Sequence, residues 1–337
     1  MSREALFEEM SAKLKTANAL PEGKLSCQWL PGDASNRFYG RLSVAGHSKT
    51  FMLMVMNAPE AFKSEEVTGA DEAKIQELPF VTIGRELESR KIRVPHIQFV
   101  DSKSQFLVAE DFGSEQLYDR RQKNAATEWY QSALKTLASF QKLEPFEPAK
   151  SRRFTLDLLE WEAEHFVEWA IEKNDKKISS TDLSYLRAFL KGACAMIEKE
   201  DYVLSHRDYH SKNLMILDSE KKVGLIDFQD ALMGPPDYDL ASLLRDSYVR
   251  FEDPEEEELL KYYETESGRK VNREVFGLVS LQRNMKAVGR FFYILKVKGR
   301  DTHIPYVKPT MNRIYRTLGQ INESRLKTLL EGLFGPC

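Results

Sequence analysis

The sequence predicts an α+β protein in two lobes, a small antiparallel-sheet lobe over residues 1–112 followed by a mainly helical lobe over residues 113–337. Three observations carry this expectation. Short runs rich in aromatic and β-branched residues alternate with turn signals in the first lobe. From Gln116 onward, apolar stripes recur at helical period. At Tyr202 the helical run is broken by two short apolar runs, each with a polar loop in front of it.

The opening stretch "MSREALFEEMSAKLKTANAL" alternates acid, base and apolar residues at helical spacing and predicts a surface helix. It has no basic segment followed by an apolar core and does not resemble a signal peptide. "LSCQWLPGDASNRFYGRLSVAGHSKTFMLMVMNAP" has the grammar of an antiparallel meander broken at "PGD" and "AGHSK". "LPFVTIGRELESRKI" repeats apolar residues at Phe80, Ile83 and Leu87 and predicts a helix ending before Pro95. "HIQFVDSKSQFLVAEDFG" reads as two strands around a "DSKSQ" turn. Beyond it, "AATEWYQSALKTLASFQKL", "FTLDLLEWEAEHFVEWAIEK", "STDLSYLRAFLKGACAMIEKE" and "NREVFGLVSLQRNMKAVGRFFYILKVKG" carry helical stripes. The two interrupting runs are Asn213 to Leu217 and Val223 to Phe228. The acidic "EDPEEEE" at 252–258 suits a helix N-terminus, where it complements the dipole.

Composition excludes several classes of function. Forty-nine basic residues against 52 acidic ones leave a net charge of −3, so no global field draws nucleic acid or an anionic membrane. No apolar run approaches a transmembrane span. Cys27, Cys194 and Cys337 are too few and scattered for a disulfide framework or a zinc site, which points to a reducing, cytoplasmic compartment. No obligate protein partner is inferred.

Two Asp-Phe pairs compete for one kind of chemistry. Phosphoryl transfer asks for a base to orient the attacking hydroxyl and for carboxylate and amide oxygens to hold magnesium against phosphates. His206-Arg207-Asp208 followed by Asn213 matches the kinase order of base and first ligand, and Asp227 ends the next apolar run, where the second ligand belongs. The literal D-F-G at Asp111-Phe112-Gly113 comes nearly a hundred residues too early. It falls instead where the strands end and the helices begin, so main-chain groups from Glu110 to Phe112 are expected to meet an adenine ring. A zinc reading of "HRDYH" lacks a further Cys or His at ligand spacing. Asp237 reads as a turn residue beside Gly234 and Pro235, and Asp230 is left open.

"SHRDYHSKNLMIL" and "GLIDFQDALMGPPDYDLASLLRDSYV" resemble the catalytic segments of the aminoglycoside phosphotransferase and choline kinase superfamily. The details are most similar to the anomeric sugar kinases of cell-wall recycling that act on N-acetylmuramate and N-acetylglucosamine. The resemblance is specific over about 204–250 and extends more loosely to "PGDASNRFYGRL" and "LQRNMKAVGRFFYILKVKGRD". It implies a two-lobed protein-kinase-like fold, ATP as donor, Mg2+ as cofactor and a small sugar as acceptor. By position it implies Asp208 as base, Asn213 and Asp227 as magnesium ligands, and Asp239 as a brace of the catalytic loop. Other acceptors of the superfamily (aminoglycoside, choline or a homoserine-like alcohol) and a nucleotide-binding pseudokinase are the alternatives.

Two parts of the kinase pattern are absent. The run "TFMLMVMNAP" has no strand lysine, and there is no G-x-G-x-x-G loop. "GDASNRFYGRL" stands in its place, with Gly32, Ser35 and Arg37 as candidate phosphate donors. On the acceptor side, Arg283, Lys286 and Arg290 follow at three- and four-residue steps near one helix face. Taken alone they read as a solvated basic face. With the resemblance, Arg283 and Lys286 become candidates to meet an anionic or acetamido sugar. Arg245 and Asp246 are candidates to orient sugar hydroxyls, an assignment a helix salt bridge explains equally well.

Overall fold

In the computed structural model the described residues are 3–30, 37–56, 78–123 and 126–336. The chain divides into two compact units. One comprises the described residues up to Ser114 together with Gly224–Gln229, and the other runs from Glu115 to Val223 and from Asp230 onward.

The first unit is built on a five-stranded antiparallel sheet in the order β1-β2-β3-β5-β4. Its strands are β1 (Leu25–Trp29), β2 (Arg37–Val44), β3 (Thr50–Met56), β4 (Ile97–Asp101) and β5 (Phe106–Glu110). The expected meander is β1 to β3, and the "DSKSQ" turn joins β4 to β5. Register pairs Leu42 with Phe51 and Leu53 with Val108, which brings the alternating apolar side chains to common faces. The first helix, α1 (Arg3–Thr16), buries Met10 and Leu14 against one face with Leu42, Leu53 and Phe106. The second, α2 (Pro79–Ser89), packs Val81 with Met54 and Leu107.

Gly224–Gln229 joins this unit through named contacts. Leu225 N donates to the Arg93 carbonyl at 2.8 Å, and Phe228 stacks on Phe80 with ring centroids 4.8 Å apart. Gly84 lies under that ring, where a Cβ would sit 3.2 Å from it. The segment carrying Asp227 is therefore anchored by aromatic packing to α2.

In the second unit the helices are α3 (Leu117–Gln122), α4 (Thr127–Gln141), α5 (Leu156–His165), α6 (Ser180–Ile197), α7 (Pro236–Leu244), α8 (Asp253–Ser267), α9 (Arg273–Lys298), α10 (Val307–Gln320) and α11 (Ser324–Phe334). Thr155, Ser179 and Asn272 cap α5, α6 and α9 by accepting from main-chain N–H groups, as these residue types do at helix starts. Asp253, Glu255 and Glu256 open α8, in keeping with the dipole reading. Two short ladders interrupt the helices: β6 (Val203–Ser205) pairs with β9 (Leu232–Gly234), and β7 (Leu214–Leu217) with β8 (Lys222–Leu225). Asp237 is not a turn residue. It lies buried in the first turn of α7 and pairs with Arg269.

Helix α5 continues into a π-helical segment, Phe166–Glu172, at the place where α9 comes closest. Gly289 of α9 has no room for a side chain, because a Cβ there would fall on the His165 carbonyl and the Phe166 nitrogen. Overpacking of this kind costs about 1–3 kcal/mol. Gly289→Ala is accordingly expected to lower the denaturation midpoint, while Gly192→Ala at an exposed position of α6, where nothing lies within 4 Å, leaves it in place or raises it. Equal midpoints for both variants would contradict the close approach.

Candidate active site

The loop after β6 is bent by an unusual backbone and held by buried carboxylates. Arg207 has φ 77°, a region that costs energy for a side chain as large as arginine. Asp239, in the first turn of α7, accepts from the consecutive main-chain N–H groups of His206 at 2.6 Å and Arg207 at 2.9 Å. Burial pushes the Asp239 carboxyl up, while the His206 charge and the main-chain donors pull it down. This is the bracing contact expected of Asp239. His206 itself packs between Phe140 and Tyr209. Tyr209 fastens the loop to α4 by donating to the Ala133 carbonyl at 2.8 Å.

A second carboxylate, which the sequence did not single out, holds the side chains. Glu162 of α5 is fully buried and accepts from Arg207 Nη2 at 3.0 Å, Lys286 Nζ at 2.6 Å, Tyr238 Oη at 3.1 Å and Gln282 Nε2 at 3.2 Å. Burial raises its pKa, but the Lys286 and Arg207 charges outweigh this and keep the carboxyl below its usual range. In the sequence Glu162 is one of several acids in "EWEAEHF", and only its place on the inner face of α5 distinguishes it.

Asp208 follows Arg207. Burial acts to raise its pKa, yet the positive charges of Lys286, His210, Arg207 and His206 lower it, leaving an ionised carboxylate at neutral pH. Asn213 Nδ2 donates to the Asp208 carbonyl at 3.0 Å, which fixes the plane of its amide. Asp246 accepts from the N–H and the hydroxyl of Ser211, at 2.9 and 2.6 Å, and so secures the middle of the loop. Burial lowers the His210 pKa against the opposing pull of the Asp246 and Asp208 carboxylates, and its Nδ1 is buried with no hydrogen-bond partner among the described residues.

Other expected residues take different places. Arg283 is buried and donates to the Ser242 hydroxyl at 2.5 Å, and Lys286 is spent on Glu162, so this face of α9 is not solvated. Both still bring charge to the loop, Lys286 acting on Asp208 and Arg283 on His210. Arg245 is committed internally to Glu256, Thr317 and Gln320, which is the salt-bridge reading rather than a hydroxyl-facing one.

In the first unit, Glu110 holds Arg93 in a two-pronged ion pair at 2.7 and 2.9 Å, and the same guanidinium lies 4.6 Å from the centre of the Phe112 ring. Arg37 opens β2 opposite Met56. Ser35 and Gly32 lie outside the described residues. Asp111 accepts from Arg41 at 2.5 and 3.2 Å, Thr50 at 2.7 Å and Gly113 N at 2.9 Å, with its side chain 1% exposed. Asp227 is exposed at φ 63°, with Oδ1 accepting from Gln229 Nε2 at 2.9 Å. Among the described residues no group of three or more His, Cys, Asp or Glu is placed to hold a metal ion. A magnesium ion that keeps waters and phosphate oxygens needs only one or two protein oxygens. No helix among the described residues is long and apolar enough to cross a membrane.

A five-stranded antiparallel sheet, a helical unit and a braced His-Arg-Asp loop followed by Asn213 define a protein-kinase-like phosphotransferase. Residues 27–274 match the family model described as "Phosphotransferase enzyme family", and the chain belongs to that family of small-molecule kinases. It is 28% identical over 313 residues to an N-acetylmuramate/N-acetylglucosamine kinase of Pseudomonas putida, covering 89% of this chain and 85% of the relative. It is 25% identical over 348 residues to the kinase of the same name from Neisseria meningitidis, covering 97% of each. Among solved structures, choline kinase LicA from Streptococcus pneumoniae matches with a TM-score of 0.64 at 16% identity, over 95% of this chain and 99% of that one. An ADP-bound aminoglycoside phosphotransferase matches with a TM-score of 0.59 at 16% identity, over 93% and 98%.

Removing Glu162 tests the internal ion cluster. Glu162→Ala leaves Arg207 and Lys286 without their shared counter-charge, a loss of about 3–5 kcal/mol for a buried pair. A denaturation midpoint close to that of the native protein would show that the cluster does not hold the loop. Glu162→Gln, which keeps an acceptor oxygen, is expected to fall between the two.

Proposed function

We propose that this phosphotransferase uses ATP and magnesium to phosphorylate the anomeric hydroxyl of N-acetylmuramate or N-acetylglucosamine in peptidoglycan recycling. The observation that carries the reading is Asp208, an ionised carboxylate on a loop braced by Asp239 and surrounded by positive charge. The acceptor is supported by the names of the curated relatives. It is also supported by α9, which brings Lys286 and Arg283 toward the loop, where a cationic acceptor would meet like charge.

The residues present fit the nucleotide and its metal. Asn213 offers an amide oriented by the Asp208 carbonyl and Asp227 an exposed carboxylate, both hard oxygen donors of the kind magnesium takes. These two would hold the ion, and the buried, unpartnered His210 Nδ1 marks a polar position beside the same loop. Bound magnesium-ATP supplies the phosphoryl group and neutralises its developing charge. Main chain from Glu110 to Phe112 receives the adenine, with Arg93 holding both side chains in place. Arg37, at the start of β2, is the described residue that would meet the phosphates.

Asp208 accepts a hydrogen bond from the attacking hydroxyl at a carboxylate oxygen and takes its proton as the new bond forms. An anomeric hydroxyl is more acidic than an ordinary alcohol, so an unraised carboxylate suffices as an orienting base. Arg283 and Lys286 act on the acetamido or carboxylate end of the sugar through the charge they bring to the loop. Asp246 positions the loop through Ser211.

Three substitutions separate the roles. Asp208→Asn is expected to preserve nucleotide binding and to lower turnover by about 10²–10⁴-fold, the range for a lost general base. Asp227→Ala should remove magnesium-dependent nucleotide binding and turnover together. Asp111→Ala should reduce stability yet retain phosphoryl transfer, and a loss of transfer matching that of Asp227→Ala in a folded protein would reverse their assignments.

The acceptor atom is tested directly. Incubation with magnesium-ATP and each free sugar should give a glycosyl 1-phosphate by phosphorus NMR, and the corresponding methyl glycosides should give none. Phosphorylated methyl glycosides would sink the anomeric assignment, because their free hydroxyls lie elsewhere on the ring.

A further inference from the structure

Lys212 stands between the proposed base and the proposed magnesium ligand, four residues after Asp208 and one before Asn213. Its ammonium lies over three tyrosine rings, 3.8 Å from the centroid of Tyr248, 4.4 Å from Tyr306 and 5.1 Å from Tyr118. It also donates to Tyr306 Oη at 3.2 Å. The rings come from separate parts of the second unit: Tyr118 from α3, Tyr248 from the segment after α7, and Tyr306 from the 3-10 turn Ile304–Tyr306. Tyr248 meets Tyr306 edge-on at 4.7 Å and Tyr118 edge-on at 6.5 Å, so the rings brace one another. All three line a cavity of ≈ 1060 Å³ that also reaches Asp246, the residue securing Ser211 of the catalytic loop.

Several aromatic faces converging on one ammonium is the arrangement by which proteins recognise alkylammonium ligands, because the ring quadrupoles attract a cation without hydrogen bonds. Here the chain supplies the cation itself. We infer that Lys212 fills, from within the chain, an alkylammonium cage on the acceptor side of the catalytic loop and is a specificity-determining residue that bars cationic acceptors. An incoming ammonium must displace Lys212 from its rings or sit against its charge, whereas an uncharged or anionic molecule meets no such penalty. The placement on the acceptor side rests on the reading of Asp208 as base. The cage itself does not, and it can be tested by binding alone, without turnover.

The alternative is that Lys212 only ties α3 and the 3-10 turn to the loop. The two readings differ in what an emptied cage does. The probe is tetramethylammonium chloride, titrated by calorimetry and by ligand-observed NMR against the full chain, with sodium chloride at matched concentration as the control for ionic strength. The wild type is expected to show no saturable binding. Lys212→Ala, and independently Lys212→Ser, is expected to bind at least about tenfold more tightly than wild type, with Tyr248→Leu in the same background abolishing the gain. A folded Lys212→Ala that does not bind the probe would overturn the inference, and so would a gain that survives Tyr248→Leu. The wild-type titration serves as a test by itself, since saturable binding of tetramethylammonium there, at the affinity of the variant, would show that Lys212 bars nothing. A failure of sugar phosphorylation would overturn the proposed function and leave these binding outcomes unaffected.

Discussion

The left-handed backbone at Arg207 is the constraint on which the candidate site depends. At φ 77° an arginine is strained, and it stays there because its main chain and its side chain are held by different buried carboxylates. Asp239 accepts from the two consecutive N–H groups at the bend, which satisfies them in the interior. Glu162 takes the guanidinium. With both in place, Asp208 emerges from the bend with little conformational freedom, which is what positioning of an attacking hydroxyl requires.

Glu162 joins that constraint to α9. It binds Arg207 of the loop and Lys286 of α9 at once, so the helix and the loop share one counter-charge. Gln282 adds to this by donating to both Glu162 and the Leu159 carbonyl of α5. The close approach at Gly289 lets α9 lie against the end of α5 and its π-helical continuation. Strand β3, where protein kinases carry a lysine, is apolar here from Phe51 to Met56 and sits between β2 and β5 in the sheet. The positive charge that acts on Asp208 instead comes from a late helix and from the loop itself. That location is compatible with charge serving the acceptor as well as the transferred group.

Much of this was legible in the sequence where the signal is local. Alternation and turn residues marked an antiparallel meander and the hairpin around "DSKSQ", helical stripes marked α4 to α6 and α9, and the order of His206-Arg207-Asp208, Asn213 and Asp227 picked out one candidate set from a chain holding a literal D-F-G elsewhere. What was hidden depends on long-range packing. Arg283 carries the same charge and spacing as a solvated residue, and only the neighbouring Ser242 and the burial of α9 reveal otherwise. Asp237 sits beside prolines in a turn-like string, yet Pro235 and Pro236 begin a helix there, as proline does at a first turn. The membership of Gly224–Gln229 in the first unit depends on Phe228 meeting Phe80 across about 150 positions of sequence, a separation no periodicity encodes.

The two Asp-Phe pairs show why a tripeptide alone does not define a metal site. A carboxylate serves as a ligand only if its oxygens are not already claimed by stronger donors. At Asp111 both oxygens are occupied by Arg41, Thr50 and the Gly113 N–H, and the side chain is closed off from solvent. Burial raises its pKa and these donors lower it by more, so the charge is kept and satisfied internally. Its work is to hold the end of β5 to β2 and β3. Asp227 has the same chemistry in another setting. It is exposed at a left-handed backbone position, next to a residue held by stacking, and its Oδ1 accepts from the Gln229 amide. An exposed carboxylate oxygen on a fixed backbone is the kind of hard donor a divalent cation takes, whereas a buried carboxylate closed off from solvent is not within its reach.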